Sequence, residues 1–214
     1  MRVVVGLGSS RDLRQIEHER HLHMMSRFLE RIPSDAGAGD AHGLTLVLRS
    51  AESGAAQALV DMKDALANAR VAAKVVVARL DPGEDLRQLF SGLSDLAPNI
   101  AAGELIRWAR NPRLLDAHEQ VTYGTAMCWS GDAMRREADK RNALTLFHEA
   151  APDIVRLSRL AFEALWAASS LVPERRLHGS ETVKPSGAYE LGADAPVAVS
   201  PVRQALQGWP LIRH

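Results

Sequence analysis

The chain has 214 residues, of which 46% are hydrophobic and 24% are charged, and this ordinary globular composition excludes a wholly disordered protein. Its 26 basic and 26 acidic residues cancel, so overall charge does not support binding to nucleic acid or anionic lipid. Cys128 is the one cysteine, which excludes an intramolecular disulfide and a zinc site made of several thiolates. Because Met127 and Trp129 flank it, we expect a buried, inert thiol.

No stretch of the sequence approaches the roughly 18 consecutive apolar residues that a membrane-spanning helix needs. The N-terminal stretch at residues 1–6 is too short for a signal peptide, and charge resumes at Arg11. We therefore expect a cytoplasmic protein without a membrane span.

Apolar spacing predicts a parallel strand pair in the first half of the chain. A short strand at 3–7 precedes a helix from about Asp12 to Ile32. Residues 44–48 then read as a buried strand, 52–70 as a helix and 71–80 as a second strand. This strand, helix, strand order predicts a right-handed βαβ unit.

A helix at 84–96, a strand at 104–109 and an antiparallel hairpin are predicted next. The hairpin joins strands 118–123 and 125–129 at Gly124, and the turn Ser130–Asp132 leads into a polar helix. A further helix follows Pro152, and its spacing predicts an inward apolar face made of Ile154, Leu157, Leu160, Ala161, Ala164 and Leu165.

These elements predict an α/β fold with a mixed β-sheet flanked by helices. Residues 1–172 would form the α/β domain, with its core at 44–168. Residues 173–214 lack sustained periodicity and would form an irregular C-terminal tail.

The segment 106–136 contains the candidate functional residues. A histidine begins a predicted strand, a turn of small residues ends the hairpin, and basic residues follow. Phosphate groups bind well at helix starts, where backbone N–H groups point outward. The candidate ligand-binding residues are His118, Gln120, Ser130, Asp132 and Arg135. Asp132 could equally serve only to cap the helix that follows it.

This layout resembles the second part of a phospholipase D-like module. That family has a His-x-Lys-(four residues)-Asp motif, then a strand, a Gly-Ser turn and often a final helix with a Phe-Glu-x-Leu-Trp-like ending. His118 falls on the family's histidine, Gln120 on its lysine and Thr125 on its aspartate. The ending at 161–166 reads Ala-Phe-Glu-Ala-Leu-Trp, and the resemblance covers residues 44–168.

The resemblance implies a phospholipase D-like fold with a degenerate motif. In that family the histidine attacks phosphorus and the lysine neutralises phosphate oxygens. The amide of Gln120 carries no charge, and Thr125 cannot act as an ionised carboxylate. The implied function is a catalytically inactive binding or regulatory module with a phosphate-containing ligand. Because active members use two motif copies, it also implies a homodimer in which the two His118 regions face each other.

Two other functions remain open. The first is a phosphodiesterase or nuclease with an altered site, in which His118 is the catalytic residue and nearby arginines replace the missing lysine. The second is an α/β protein of unrelated function, whose hairpin contains no site.

Two other motifs suggest ligands less strongly. His18 and His21 lie three residues apart and could share a metal, but further ligands are not evident, and a solvated helix face explains them better. The stretch Gly6–Ser10 lacks the third glycine of a dinucleotide-binding loop. We therefore expect neither a metal nor a cofactor.

Overall fold

The structure is a computed structural model that describes residues 2–3, 10–32, 42–80, 85–110, 118–132 and 145–178. All of them belong to one compact unit, Met1–Ser180. The second unit, Glu181–His214, and with it most of the predicted tail, lies outside the described residues.

The described residues form eight strands and six α-helices. The strands are β1 (Arg2–Val3), β2 (Gly43–Leu48), β3 (Ala72–Val77), β4 (Ile106–Trp108), β5 (Glu119–Tyr123), β6 (Met127–Gly131), β7 (Thr145–His148) and β8 (Ser170–Leu171). The helices are α1 (Ser10–Arg31), α2 (Gly54–Asp61), α3 (Lys63–Asn68), α4 (Arg87–Leu96), α5 (Ala102–Leu105) and α6 (Pro152–Ala168). A short 3₁₀ helix spans Glu174–Arg176.

One mixed sheet contains all eight of these strands, in the order β1-β7-β6-β5-β2-β3-β4-β8. Strands β2, β3 and β4 run parallel to one another, and the remaining pairs are antiparallel. The predicted parallel pair is confirmed, since Leu44 to Leu48 lie beside Ala73 to Val77. The predicted class, an α/β fold with a mixed sheet flanked by helices, is confirmed as well.

The two faces of the sheet bury separate apolar clusters, because side chains alternate along each strand. The larger cluster includes Leu46, Val75 and Trp129, which pack with residues of α1, α2 and α4. The smaller cluster joins Val47 and Val76 to the aromatic residues of α6. We call these the α1 face and the α6 face.

The predicted hairpin is confirmed, with its two strands shifted slightly along the chain. Gly124 occupies the turn with φ 59°, a left-handed conformation that glycine adopts without steric cost. The turn prediction for Ser130–Asp132 was wrong in part, because Ser130 and Gly131 pair with β5 and β7 as part of β6. The polar helix predicted after this turn lies outside the described residues.

Three other predicted elements differ from the structure. The helix predicted at 52–70 is two helices, which meet at Met62. The strand predicted at 104–109 is shorter, because Ala102–Leu105 is helical. Strand β7 was not predicted, since its four residues are too few to show a period.

The inward face predicted for α6 was wrong except at Leu165, which is buried. Leu157 and Leu160 are each 59% exposed and Ile154 is 37% exposed, and Ala161 and Ala164 also face solvent. The buried residues of α6 are Val155, Ser158, Phe162, Leu165 and Trp166. The helix has two apolar faces, and the face with the two large aromatic rings buries more apolar surface against the sheet.

The first residues after β8 pack onto the domain. Leu177 is buried in the larger cluster, and the ring of His178 contacts that of Phe90 edge-on at 5.1 Å. The tail prediction for 173–214 otherwise falls outside the described residues and stays a prediction. None of the described helices is long and apolar enough to cross a membrane.

We expect Gly54→Ala to destabilise the fold, because helices α1 and α2 touch at this glycine. A Cβ at Gly54 would lie 2.8 Å from the backbone nitrogen of His18, so the two helices would have to move apart. Such overpacking costs about 1–3 kcal/mol of unfolding free energy, measurable by urea denaturation.

Gly92→Ala is the matched control. It is also a helical glycine, but its nearest atom to a new Cβ lies at 3.6 Å, an ordinary contact distance. We expect this variant to be more stable by about 0.5–1 kcal/mol. Equal effects of the two substitutions would contradict the close α1–α2 contact.

Candidate functional site

Helix α1 places polar side chains between itself and strands β5 and β6. Arg20 and His21 lie three and four residues after Glu17, so all three occupy one side of the helix. The sheet contributes Glu119 at the start of β5 and Asp132 directly after β6, both buried. Buried ionisable groups are costly unless they are paired or neutralised, so this region is a candidate site.

Three carboxyl groups lie close together beneath α1. Glu119 is fully buried, and its Oε1 accepts a hydrogen bond of 3.2 Å from the backbone N–H of Arg49. Burial, with a smaller contribution from the charge of Glu17, raises the pKa of Glu119 to about 8. Burial also raises the pKa of Glu17. The charge of Arg20 partly offsets this increase, and the charge of Asp132 adds to it. At neutral pH, Glu119 is therefore largely protonated and neutral.

His21 is a buried neutral imidazole. Its Nδ1 lies 2.7 Å from the hydroxyl of Tyr123, and its ring contacts Trp129 edge-on at 4.4 Å between centroids. Burial lowers the pKa of His21 to about 3 and raises that of Tyr123 well above its usual value. Both groups are therefore neutral, and the imidazole tautomer decides which of them donates the hydrogen bond. The prediction of a solvated face was wrong for His21.

The structure does not bring His18 and His21 together as metal ligands. The Nε2 of His18 lies 2.8 Å from a carboxylate oxygen of Asp61 on α2, whereas His21 faces Tyr123. Within the described ranges, no group of three histidine, cysteine, aspartate or glutamate side chains could hold a metal ion.

A cavity of about 630 Å³ opens between α1 and strands β6 and β7. Its lining is Arg20, His23, Met24, Arg27, Trp129, Thr145, Phe147, His148, Glu149, Ala150 and Ala151. Arg20 donates a hydrogen bond of 2.9 Å to the hydroxyl of Thr145, and Arg27 forms an ion pair with Glu149. Trp129 forms one wall, and its indole N–H has no hydrogen-bond partner among the described residues. We call this space the α1 cavity.

The candidate residues from the sequence lie in several different places. His118 is exposed just before β5. Gln120 donates a hydrogen bond of 2.7 Å to the hydroxyl of Ser158 on α6, and Ser130 lies directly across the strand pair from Gln120. Asp132 instead lies near Glu17 of α1. Arg135 lies outside the described residues.

The positions that match the family motif are also separated along β5. Thr125 is exposed in the turn after the strand, and His118 precedes its first residue. The strand between them rises about 3.4 Å per residue, so the two ends lie about 15 Å or more apart. The structure thus does not gather His118 and Thr125 into one site, and ligand binding by the five predicted residues stays a prediction.

Sequence reasoning missed the α1 cavity and the buried carboxyl group of Glu119. Arg20 and Arg27 lie seven residues apart on α1, which places them on one side of that helix. Glu119 left a clearer signal, because it shares strand parity with Val121 and Tyr123, both of which are buried. A carboxyl group at a buried strand position indicates either a buried partner or an altered pKa.

Comparisons with known proteins give little further information. No family model matches the chain, and no curated protein sequence matches it. Among solved structures, the chain is similar to Nuc from Salmonella typhimurium, a phospholipase D family member, with a TM-score of 0.43 and 13% identity. The match covers 69% of this chain and 90% of that one. A similarity of this size carries no argument about site residues or activity.

We expect the contribution of Glu119 to stability to fall as pH rises from about 4.5 to about 8, because in this range the group is ionised in the unfolded chain and still protonated in the folded protein. Burial raises its pKa from 4.5 to about 8, so the unfolded chain loses this proton first. The contribution is complete below pH 4.5 and is lost as pH approaches 8.

Glu119→Gln should remove this loss while keeping the oxygen that accepts from Arg49. The variant should gain more than about 1 kcal/mol relative to the native protein between pH 5 and pH 8, since a tenfold change in proton affinity equals about 1.4 kcal/mol. Urea denaturation across this range measures the difference. Glu30→Gln, an exposed position on α1, is the control and should show no such trend. A difference that stays constant with pH would contradict the assignment.

Proposed function

We propose that the protein is a noncatalytic binding module that holds a phosphate-containing ligand in the α1 cavity. The observation that supports this proposal is the charge of the cavity wall. Arg20, Arg27, His23 and His148 supply basic groups, and Glu149 is its only carboxylate among the described lining residues. The cavity therefore favours an anion, even though the whole chain has no net charge.

The individual groups suit the oxygens of a phosphate. Arg20 already donates to the Thr145 hydroxyl, and a guanidinium group has further N–H donors that can form paired hydrogen bonds to phosphate oxygens. The hydroxyl of Thr145 can donate to the same oxygens. The imidazole N–H groups of His23 and His148 can donate hydrogen bonds to the same oxygens.

The shape of the cavity favours a phosphate ester over inorganic phosphate. Its volume of about 630 Å³ lies within the range of ordinary small-molecule sites, which is roughly 300–1,000 Å³. Trp129, Met24 and Phe147 form an apolar part of the wall. A ligand with one phosphate group and an apolar or aromatic portion would contact both kinds of surface.

We further propose that the chain is a phospholipase D-like module that has lost its catalytic residues. The sequence layout around His118, with glutamine and threonine in place of lysine and aspartate, supports this proposal. The hydrogen bond between Gln120 and Ser158 is consistent with a structural role, because it ties β5 to α6. A cation in place of Gln120 would have to be accommodated beneath that helix.

Arg20→Gln should weaken binding of a phosphate monoester at least about tenfold, because a hydrogen bond to a charged group contributes about 1.5–3 kcal/mol. Isothermal titration calorimetry with phenyl phosphate measures the affinity, and benzyl alcohol shows whether the phosphate is required. Arg14→Gln is the control, since Arg14 is an exposed residue on the same helix and does not line the α1 cavity. It should bind like the native protein.

His118→Ala separates this proposal from the predicted phosphodiesterase. Binding in the α1 cavity should not change in this variant, and neither protein should hydrolyse bis(p-nitrophenyl) phosphate. Hydrolysis by the native protein that His118→Ala abolishes would favour the altered-site enzyme. Equal weakening of phenyl phosphate binding by Arg20→Gln and Arg14→Gln would reject the α1 cavity as the binding site.

A further inference from the structure

The outer face of α6 has an apolar stripe. Its core consists of Leu157 and Leu160, and Ala161, Ala164 and Ala168 continue the stripe toward the end of the helix. At 100° per residue these five positions lie within about 120° of the helix circumference. The opposite face of the same helix is already buried against the sheet. The stripe is therefore surplus to the packing of the described domain.

Large residues occupy one half of the stripe and small residues the other half. Leu157 and Leu160 come first along α6, and the three alanines follow. If a second copy of the helix runs antiparallel across this face, with the twofold axis between residues 160 and 161, Leu157 lies opposite Ala164. In the same register Leu160 lies on one side of the stripe and meets Leu160 of the other copy close to the axis. Leu157 thus faces a small residue, as close helix packing requires, and the two Leu160 side chains form an apolar contact.

The charges beside the stripe fit the same arrangement. Arg156 and Glu163 are exposed, lie seven residues apart and therefore flank the stripe on the same side. Neither makes an ion pair with another residue in the part of the chain that the structure describes. When a twofold axis relates two antiparallel helices, each side of the stripe faces the same side of the stripe on the other copy. Arg156 would then meet Glu163 of the other copy, twice per dimer.

We propose that the protein forms a symmetric homodimer through the outer face of α6, with the two α6 helices antiparallel. The 17 residues of α6 give a contact about 25 Å long. This surface lies on the side of the sheet opposite the α1 cavity. The dimer is therefore independent of phosphate binding, and it differs from one built on facing His118 regions.

Analytical ultracentrifugation of the full chain over a range of concentrations tests the proposal. The native protein should sediment as a dimer, and Leu157→Asp should weaken the dimer at least about tenfold, because it places a charge in the apolar contact. Ile100→Asp is the matched control, since Ile100 is 50% exposed and belongs to the connection between α4 and α5. Circular dichroism should show that both variants keep the native fold.

Charge reversal distinguishes this pairing from any other use of the stripe. Arg156→Glu and Glu163→Arg should each weaken the dimer several-fold, since each replaces two attractive pairs with two repulsive ones. The double variant Arg156→Glu with Glu163→Arg should restore the native dissociation constant.

Three results would overturn the proposal. The first is a native protein that remains a monomer at all concentrations, as it would if another part of its own chain covered the stripe. The second is a dimer that Leu157→Asp leaves unchanged, which would place the interface elsewhere. The third is a double charge reversal as weak as either single variant, which would exclude the antiparallel register.

Discussion

The contact between α1 and strands β5 and β6 determines the chemistry of one whole side of this domain. The helix is not purely apolar where it meets the sheet, since it buries His21 and brings Glu17 near the buried Glu119. A low-dielectric environment cannot hold several charges of one sign. The fold resolves this conflict by keeping His21 neutral and by raising the pKa of Glu119, so that the contact is polar without being strongly charged.

The α1 cavity lies next to the contact between α1 and strands β5 and β6. Arg20 lies at the boundary, because its charge lowers the pKa of Glu17 while its guanidinium group donates to Thr145 on β7. Further along α1, Arg27 and Arg31 both contact Glu149. Basic residues therefore outnumber acidic ones on the β7 side of the helix. Charge is segregated along α1, which the balanced composition of the chain conceals.

The sequence predicted those parts of the fold that depend on local periodicity. The apolar runs at Leu44–Leu48 and 72–77 gave the parallel pair, and Gly124 marked the hairpin turn. The prediction of the inward face of α6 was wrong at every residue but Leu165, because that helix has two apolar faces of similar regularity. Packing against Val47 and Val76 decides which face of α6 is buried, and that packing joins residues distant in the sequence.

The candidate site was harder to predict for a related reason. A motif search looks for residues close together in the sequence, such as His118 and Gln120. The α1 cavity instead combines residues about 120 positions apart, as the bond between Arg20 and Thr145 shows. Glu119 could have been recognised from its strand parity, but neither the burial beneath α1 that raises its pKa nor the smaller contribution from the charge of Glu17 could. Only the position of α1 across the sheet brings these residues together.

Two neighbouring residues of strand β6 face opposite sides of the sheet. Trp129 faces the α1 cavity, and the thiol of its neighbour Cys128 faces Ser158 of α6. Gly131 keeps this arrangement possible, because a Cβ there would lie 2.6 Å from the ring of Trp129. A ligand that moved Trp129 would shift the indole within the larger core, whereas Cys128 belongs to the opposite face. Because alternate side chains on a strand point in opposite directions, β6 contributes Trp129 to the proposed binding cavity and Cys128 to the packing beneath α6, and the outer face of α6 shares no side chain with the cavity.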